Sequence, residues 1–250
     1  MEGIRQHHPA ASLSFKKCDV TDWNEQSEVF REIYQETGHI DIVVANAGIG
    51  EVDMFSVFKE VTPSKPGLKT MRVNLDGSLY CEFYSTRMSL GPLKLITPLA
   101  VKLGLHYIAK NQARTSAAGA ATKGSIMCLT SNAGLYPFPV GPIYAASKHA
   151  IVGLVRSLAR PLKGECIQIN GLAPCVIETN IAPEKSLFKK MVLTPMSTLT
   201  QAVAEFVDNP TLSGQIAEIH GTSVTLAQPQ AYVDEDTRKN MEMFWTLGYC

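Results

Sequence analysis

Short runs rich in apolar residues alternate with longer amphipathic stretches along most of the chain. The runs at residues 40–45, 125–130 and 168–172 have the length and composition of strands that are covered on both faces. Between them, residues 22–37 and 143–160 show the apolar spacing of helices. This alternation predicts an α/β fold built around a parallel sheet.

Four further segments complete the predicted order of elements. Residues 13–18 and 215–219 are predicted to be strands, and residues 198–207 a helix. The tail at residues 232–245 is first charged and then aromatic, and we expect it to cap the domain or a subunit contact. In the helix at 22–37, which Gly38 is expected to end, one side consists of Trp23, Val29, Phe30 and Ile33.

Composition narrows the class of protein. The chain has 250 residues, 45% of them hydrophobic, a formal net charge of +0 and a pI of about 7.0. One domain spanning residues 1–250 is therefore expected, with no nucleic acid and no anionic membrane as main partner. The start lacks the apolar core of a signal peptide, and the apolar stretch 93–109 is interrupted by Lys94, Pro98 and Lys102. We expect a cytoplasmic enzyme.

Cysteines and histidines point to neither disulfides nor a metal. No C-x-x-C pair occurs, and His106, His149 and His220 are scattered without metal-ligand spacing, so we read these histidines as structural. Several cysteines fall inside apolar runs, which favours buried free thiols in a reducing compartment. The six are Cys18, Cys81, Cys128, Cys166, Cys175 and Cys250.

Tyr144 and Lys148 carry the clearest chemical signal. Four residues apart on a predicted helix, they share one face. A free phenol titrates near pH ~10, and an adjacent ammonium is expected to lower that pKa. A hydroxyl such as that of Ser131, after a predicted strand, can hold a substrate oxygen at the same place. The three residues predict a proton-transfer site for an alcohol or ketone, although Y-x-x-x-K alone is common.

Further motifs along the chain indicate a family to which these residues are similar. The chain resembles the short-chain dehydrogenase/reductase family, and its tail is most similar to fungal members related to 15-hydroxyprostaglandin dehydrogenases. The resemblance implies a Rossmann-type doubly wound parallel sheet and NAD(P)-dependent transfer of a hydride between cofactor and a secondary alcohol or ketone, with NAD slightly favoured over NADP. The motifs are Asn46-Ala47-Gly48, Val73-Asn74-Leu75, Thr130-Ser131-Asn132-Ala133-Gly134 and Tyr144-Ala145-Ala146-Ser147-Lys148.

The resemblance also implies catalytic roles. Tyr144 would exchange a proton with the substrate oxygen, and Ser131 would orient and polarise the carbonyl. Lys148 would lower the pKa of Tyr144 and hold the ribose hydroxyls of the nicotinamide nucleoside. Asn74 would hold a water that links Lys148 to solvent; the alternative is an Asn that bends its helix through bonds to nearby backbone.

Cofactor-binding residues follow from the same resemblance. Asp19 would accept from the adenine amino group, and Asn46, Ala47 and Gly48 would lie beside the cofactor at the carboxyl edge of the sheet. Ile177 and Thr179 would lie against the nicotinamide carboxamide. Cys175 stands where the family usually has glycine, and it would be strained if that position requires a positive φ.

Two departures from the family pattern concern the organisation of the chain. The Gly-rich turn that normally approaches the pyrophosphate is not recognisable, and the first element resembles the third strand of the family. The first βαβ unit is thus predicted to be lacking, which would leave the sheet open. Residues 81–100, which contain Gly91-Pro92 and Pro98, interrupt a helix that the family has in one piece. They are interpreted as translated intron in a faulty gene model, or else as a genuine insertion.

Three functions stay open on this basis. The first is the oxidoreductase. We expect it to act on a small apolar alcohol or ketone, because the segment 182–194 is rich in apolar side chains. The alternative is that these side chains only pack the loop. The second is a non-redox or inactive relative that has lost cofactor binding. The third is a subunit that depends on a partner for folding. A homo-oligomer is expected because family members often pair through the Tyr-bearing helix.

Overall fold

The computed structural model describes residues 11–51, 62, 65, 67–77, 99–181 and 185–247. Within them, a five-stranded sheet has the order β1-β4-β5-β6-β7, with the first four strands parallel and β7 antiparallel to β6. A separate hairpin pairs β2 with β3. The strands are β1 (Ile42–Ala45), β2 (Arg114–Thr115), β3 (Ala121–Thr122), β4 (Gly124–Leu129), β5 (Ile167–Pro174), β6 (Ile216–His220) and β7 (Ser223–Leu226).

Helices lie between the strands as the sequence pattern indicates. Two short 3₁₀ turns, Asn132–Gly134 and Lys185–Lys190, accompany them. The helices are α1 (Trp23–Thr37), α2 (Lys69–Met71) continued by a π-helical turn (Arg72–Asp76), α3 (Leu99–Ile108), α4 (Pro142–Gly164), α5 (Met196–Asp208) and α6 (Glu235–Thr246).

Both faces of the sheet are covered by helices. On one face, Val43, Ile126 and Ile169 pack in a core with residues of α1, α3 and α4. On the other face, Met127 and Leu172 pack against α5. Neighbouring residues of β4 thus point into different cores, because side chains alternate across a strand. This arrangement confirms the predicted doubly wound parallel sheet.

Both ends of α1 are capped, and its C-terminal end follows the predicted signal. The Asp22 carboxylate accepts hydrogen bonds from the backbone N–H groups of Asn24 and Glu25, and Gly38 closes the helix with φ 76°. The predicted apolar side is only partly correct, since Trp23 is 39% exposed. Gln26 is buried instead, and its amide donates to the carbonyl of Gly77 at 3.0 Å.

The strand predicted at residues 13–18 is wrong. This segment is irregular, and Lys16 pairs with Glu32 and Glu36 of α1 at 2.6 and 2.9 Å. A strand requires a hydrogen-bonded neighbour, and among the described strands β1 forms one edge of the sheet, with β4 as its neighbour. Ile42 and Val44 lie on the face of β1 opposite the buried Val43, and they are exposed by 44% and 46%.

The C-terminal region contains two elements that the sequence analysis did not assign. β7 adds an antiparallel edge to the sheet, and the tail forms α6, whose first turn is capped by Asp234 through the backbone N–H of Thr237. Arg160 of α4 pairs with Glu242 at 2.8 Å, and its guanidinium lies 5.3 Å from the centre of the Trp245 ring. The tail therefore packs on α4.

The predicted insertion at residues 81–100 lies largely outside the described part of the chain. Residues 81–98 are not among the described residues, whereas Leu99 and Ala100 begin α3. No helix among the described residues is long and apolar enough to cross a membrane. The four described cysteines are free thiols, but only Cys128 is buried, so the expectation of burial holds for that residue alone.

Replacing Phe206 with alanine is expected to destabilise the protein by about 3–5 kcal/mol, because truncation leaves a cavity in a close-packed core. Phe206 is 1% exposed and packs between α5 and the sheet. Urea unfolding measures the change. The control is Val207→Ala, since Val207 is 40% exposed on the same helix. Equal losses in the two variants would contradict the described packing of α5.

Candidate active site

The predicted site residues follow three adjacent parallel strands. Residues 46–48 follow β1, Ser131 follows β4, and Ile177 and Thr179 follow β5. The carboxyl ends of neighbouring parallel strands meet at one edge of a sheet, which is where ligands bind in open α/β folds. The strand order therefore brings segments that are far apart in sequence to one side of the molecule.

Lys148 is buried in the first turns of α4. Its side chain is shielded to 2% exposure, and its ammonium donates to the carbonyl of Leu129 at 2.9 Å. The same nitrogen lies 5.6 Å from the centre of the Tyr144 ring. Burial disfavours the charged form and lowers the pKa of Lys148 to about 8, with a small opposing effect of Cys128.

Tyr144 and Ser131 both influence the proton chemistry of this edge. Burial raises the pKa of the Tyr144 phenol above its ordinary value, and a side-chain hydrogen bond with Ser131 acts in the opposite direction. Desolvation of the phenol is the largest of these effects, so the pKa of Tyr144 in this structure lies above its ordinary value, in contrast to the lowered pKa expected beside Lys148. Ser131 has extended backbone, and its hydroxyl accepts from the backbone N–H of Ala133 at 3.2 Å. At neutral pH Tyr144 is a protonated donor.

Asn74 ties the loop after β1 to the helix that carries Tyr144. Its amide oxygen accepts from the N–H of Ile49 at 2.8 Å, and its amide nitrogen donates to the carbonyl of Ile49 and to the hydroxyl of Ser147. Ser147 in turn donates to the carbonyl of Tyr144 at 2.6 Å. The partner backbone is distant in sequence, and Asn74 lies in a π-helical turn, a feature frequent at functional sites.

Gly48 brings the loop backbone against the Lys148 ammonium. A Cβ at this position would lie 3.4 Å from the amide oxygen of Asn74 and 3.5 Å from Nζ of Lys148. An ammonium has three donors, and within the described residues the carbonyl of Leu129 accepts one of them. The chemistry of the remaining ammonium donors suits vicinal hydroxyl groups, which are those of the ribose in a dinucleotide.

Gly134 allows α4 to lie directly on the turn after β4. A Cβ there would be 2.5 Å from Oγ1 of Thr130 and 2.7 Å from the carbonyl oxygen of Lys148. Thr130 itself donates to that carbonyl at 2.8 Å. Thr130 and Gly134 belong to the motif that contains Ser131, but nothing in the local sequence indicated this packing role.

Asn132 connects Ser131 with Cys175. Its amide oxygen accepts from the Ser131 hydroxyl at 3.1 Å, and its amide nitrogen donates to the Cys175 thiol at 3.2 Å. The strain anticipated for Cys175 is not present, because Cys166, at φ 57°, is the non-glycine residue with positive φ in the described part of the chain. Asn132 was missed as a site residue, although its place beside Ser131 offered a signal.

Asp19 does not have the position after a strand that the sequence predicted. It lies exposed in a turn, where its carboxylate accepts from the backbone N–H and the hydroxyl of Thr21, both at 2.9 Å. These bonds lower the pKa of Asp19. Ile177 and Thr179 are half-buried in the segment after β5.

The histidines predicted to be structural make local contacts. His106 packs edge-on against Tyr107, and the rings of His149 and His220 bond to Ala145 and Thr225 respectively. Across the described ranges no group of three or more His, Cys, Asp or Glu side chains has the geometry to hold a metal ion.

Comparisons with known proteins agree with this architecture. A model of the short chain dehydrogenase family matches residues 2–88 and 107–190. The chain belongs to this family. The match is interrupted over residues that overlap the segment 81–100.

Individual relatives are fungal and mammalian. A short-chain dehydrogenase/reductase from Stachybotrys chlorohalonatus is 32% identical over 179 residues, which cover 70% of this chain and 46% of that protein. Human 15-hydroxyprostaglandin dehydrogenase [NAD(+)] is 29% identical over 178 residues, 70% of this chain and 52% of that enzyme. The chain thus spans about half the length of these curated relatives. The structure of ElxO with NADP bound has the same fold, with a TM-score of 0.58 and 24% identity over 88% of this chain and 83% of that chain.

Replacing Lys148 with methionine is expected to stabilise the protein at neutral pH and progressively less at high pH. The pKa of Lys148 is lowered on folding, so the unfolded chain binds more protons between about pH 8 and the ordinary lysine value. In that window the wild type should gain on the order of 1 kcal/mol per pH unit relative to the variant.

Urea unfolding of both proteins between pH 7 and pH 10 measures this difference. Lys163→Met, at the exposed end of α4, serves as the control for loss of a lysine. A difference between wild type and Lys148→Met that does not change with pH would show that the ammonium is not buried as described.

Proposed function

We propose that this protein is an NAD(P)-dependent oxidoreductase that interconverts a secondary alcohol and a ketone. The observation that supports this function most is the position of the Tyr144 ring, 5.6 Å from the buried Lys148 ammonium and close to the turn that begins at Ser131, at the carboxyl edge of a parallel sheet. Two hydroxyl donors at one point suit a single substrate oxygen. A buried ammonium is costly unless a bound group uses it.

In this proposal Tyr144 transfers the proton. During reduction its phenol donates to the ketone oxygen while the Ser131 hydroxyl holds that oxygen in place. During oxidation the proton moves in the reverse direction. The raised pKa of Tyr144 keeps the phenol protonated at neutral pH, which suits an acid. The nicotinamide, when bound, exchanges a hydride with the substrate carbon.

Lys148 and Asn74 support this step. The donors of Lys148 that Leu129 does not use would hold the ribose hydroxyls, and its positive charge would stabilise the Tyr144 phenolate once the proton has left. Asn74, bonded to Ile49 and Ser147, would keep a water between Lys148 and solvent. The wall of the cofactor site would consist of Asp19, Asn46, Ala47, Gly48, Ile177 and Thr179.

The proposed cofactor is NAD or NADP. The human relative is a 15-hydroxyprostaglandin dehydrogenase that uses NAD, and the ElxO structure contains NADP. NAD stays our preference on the basis of the C-terminal resemblance. The segment before α5 exposes Met191, Val192 and Leu193 while Phe188 is buried. These side chains favour an apolar alcohol or ketone. We further propose that the protein forms one domain, is cytoplasmic and assembles as a homo-oligomer, and that residues 81–100 are an insertion or a retained intron.

Replacing Tyr144 with phenylalanine is expected to reduce kcat by about 10²-fold or more while cofactor affinity changes little, because only the proton donor is removed. Reduction of 9,10-phenanthrenequinone by NADH or NADPH measures turnover, and calorimetric titration measures cofactor binding. Lys148→Met should weaken the cofactor as well. Unchanged turnover in Tyr144→Phe would refute the proton-transfer role, and absence of cofactor binding by the wild type would refute the proposed function.

A further inference from the structure

Glu51 bonds directly to the backbone of Tyr144. One carboxylate oxygen of Glu51 accepts from the N–H of Tyr144 at 2.7 Å. The first turn of a helix has N–H groups without helical partners, and side chains from outside often accept from them. In α4, Gly141 offers no capping side chain, Pro142 has no N–H, and the turn bond from Ala145 to Gly141 begins the ladder. Glu51, in the segment that follows β1, thus caps the N-terminus of α4, the helix that carries Tyr144.

Packing fixes the stem of Glu51 at this place. A Cβ on Gly141 would lie 3.3 Å from Cβ of Glu51 and 3.1 Å from the ring of Phe138. The Phe138 ring in turn lies 5.8 Å from the Tyr144 ring, centre to centre. The side chain of Glu51 therefore packs on the start of α4, close to the Phe138 ring that neighbours Tyr144.

Side-chain hydrogen bonds fix the backbone immediately before Glu51. Asn74 bonds to the N–H and the carbonyl of Ile49, and Thr70 donates to the carbonyl of Gly50 at 3.1 Å. Gly48, three residues before Glu51, lies against the Lys148 ammonium. One short segment thus touches the lysine through Gly48 and the tyrosine through Glu51.

We propose that Glu51 is a positioning residue, which holds the first turn of α4 so that the Tyr144 phenol stays aligned with Ser131. The inference rests on the proposed function, since alignment matters only if Tyr144 transfers a proton. A negative group at the start of a helix also interacts favourably with the helix dipole. The hydrogen bond to the Tyr144 N–H is the contact through which Glu51 acts.

Two near-isosteric variants isolate this hydrogen bond. Glu51→Gln keeps an acceptor for the Tyr144 N–H, whereas Glu51→Met keeps the stem but removes the acceptor. In reduction of 9,10-phenanthrenequinone by NADH or NADPH, Glu51→Met should lower kcat by about tenfold to a hundredfold, because small misplacements of a reacting group are costly. KM and the calorimetric cofactor Kd should stay within about twofold, and Glu51→Gln should retain kcat within about threefold.

Glu205→Met is the control, since Glu205 is exposed on α5. A kcat in Glu51→Met equal to that of the control, or a Glu51→Gln variant as impaired as Glu51→Met, would overturn the positioning role. Thermal unfolding of each variant identifies losses that come from misfolding.

A second readout does not require turnover. Amide hydrogen exchange at Tyr144, followed by NMR, should accelerate by about tenfold or more in Glu51→Met and stay near wild type in Glu51→Gln, because exchange reports local opening. If amide exchange at Tyr144 responds to the two variants in this way but the wild type binds no cofactor, the proposed function is wrong, whereas the capping of α4 by Glu51 is confirmed. Unchanged exchange in Glu51→Met would contradict the cap itself.

Discussion

The close approach of α4 to the turn after β4 is the constraint on which the site depends. Gly134 leaves no space for a side chain between that turn and the backbone of Lys148, and Thr130 bonds the two segments together. Because of this contact the Lys148 ammonium reaches the carbonyl of Leu129, and it lies 5.6 Å from the centre of the Tyr144 ring. The strand order then adds the segments after β1 and β5 at the same edge.

Burial gives this edge its chemistry. Removing the ammonium of Lys148 and the phenol of Tyr144 from water shifts both groups toward their uncharged forms, which raises the pKa of Tyr144 and lowers the pKa of Lys148 to about 8. A protein that needed only stability would fill such positions with apolar side chains. The cost is concentrated on two groups that face one another, which is a pattern of functional sites.

Much of this could be predicted from sequence where one local signal was sufficient. The i, i+4 spacing of Tyr144 and Lys148 and the cap residues Asp22 and Gly38 act within a single helix. The strand at residues 13–18 was mispredicted because an apolar pattern does not reveal whether a partner strand is present. The capping by Glu51 was missed for a related reason: it joins segments 93 residues apart in the chain, and only the assembled sheet brings them together.

Label transfer tests the central claim most directly. The protein would be incubated with NADH or NADPH deuterated at C4 of the nicotinamide, with 9,10-phenanthrenequinone as the ketone, in unlabelled water. The account predicts one stereospecific loss of deuterium from the cofactor per product formed, with the oxygen proton coming from solvent through Tyr144. A saturably bound cofactor that keeps its deuterium indefinitely would contradict the assignment of this edge as a redox site.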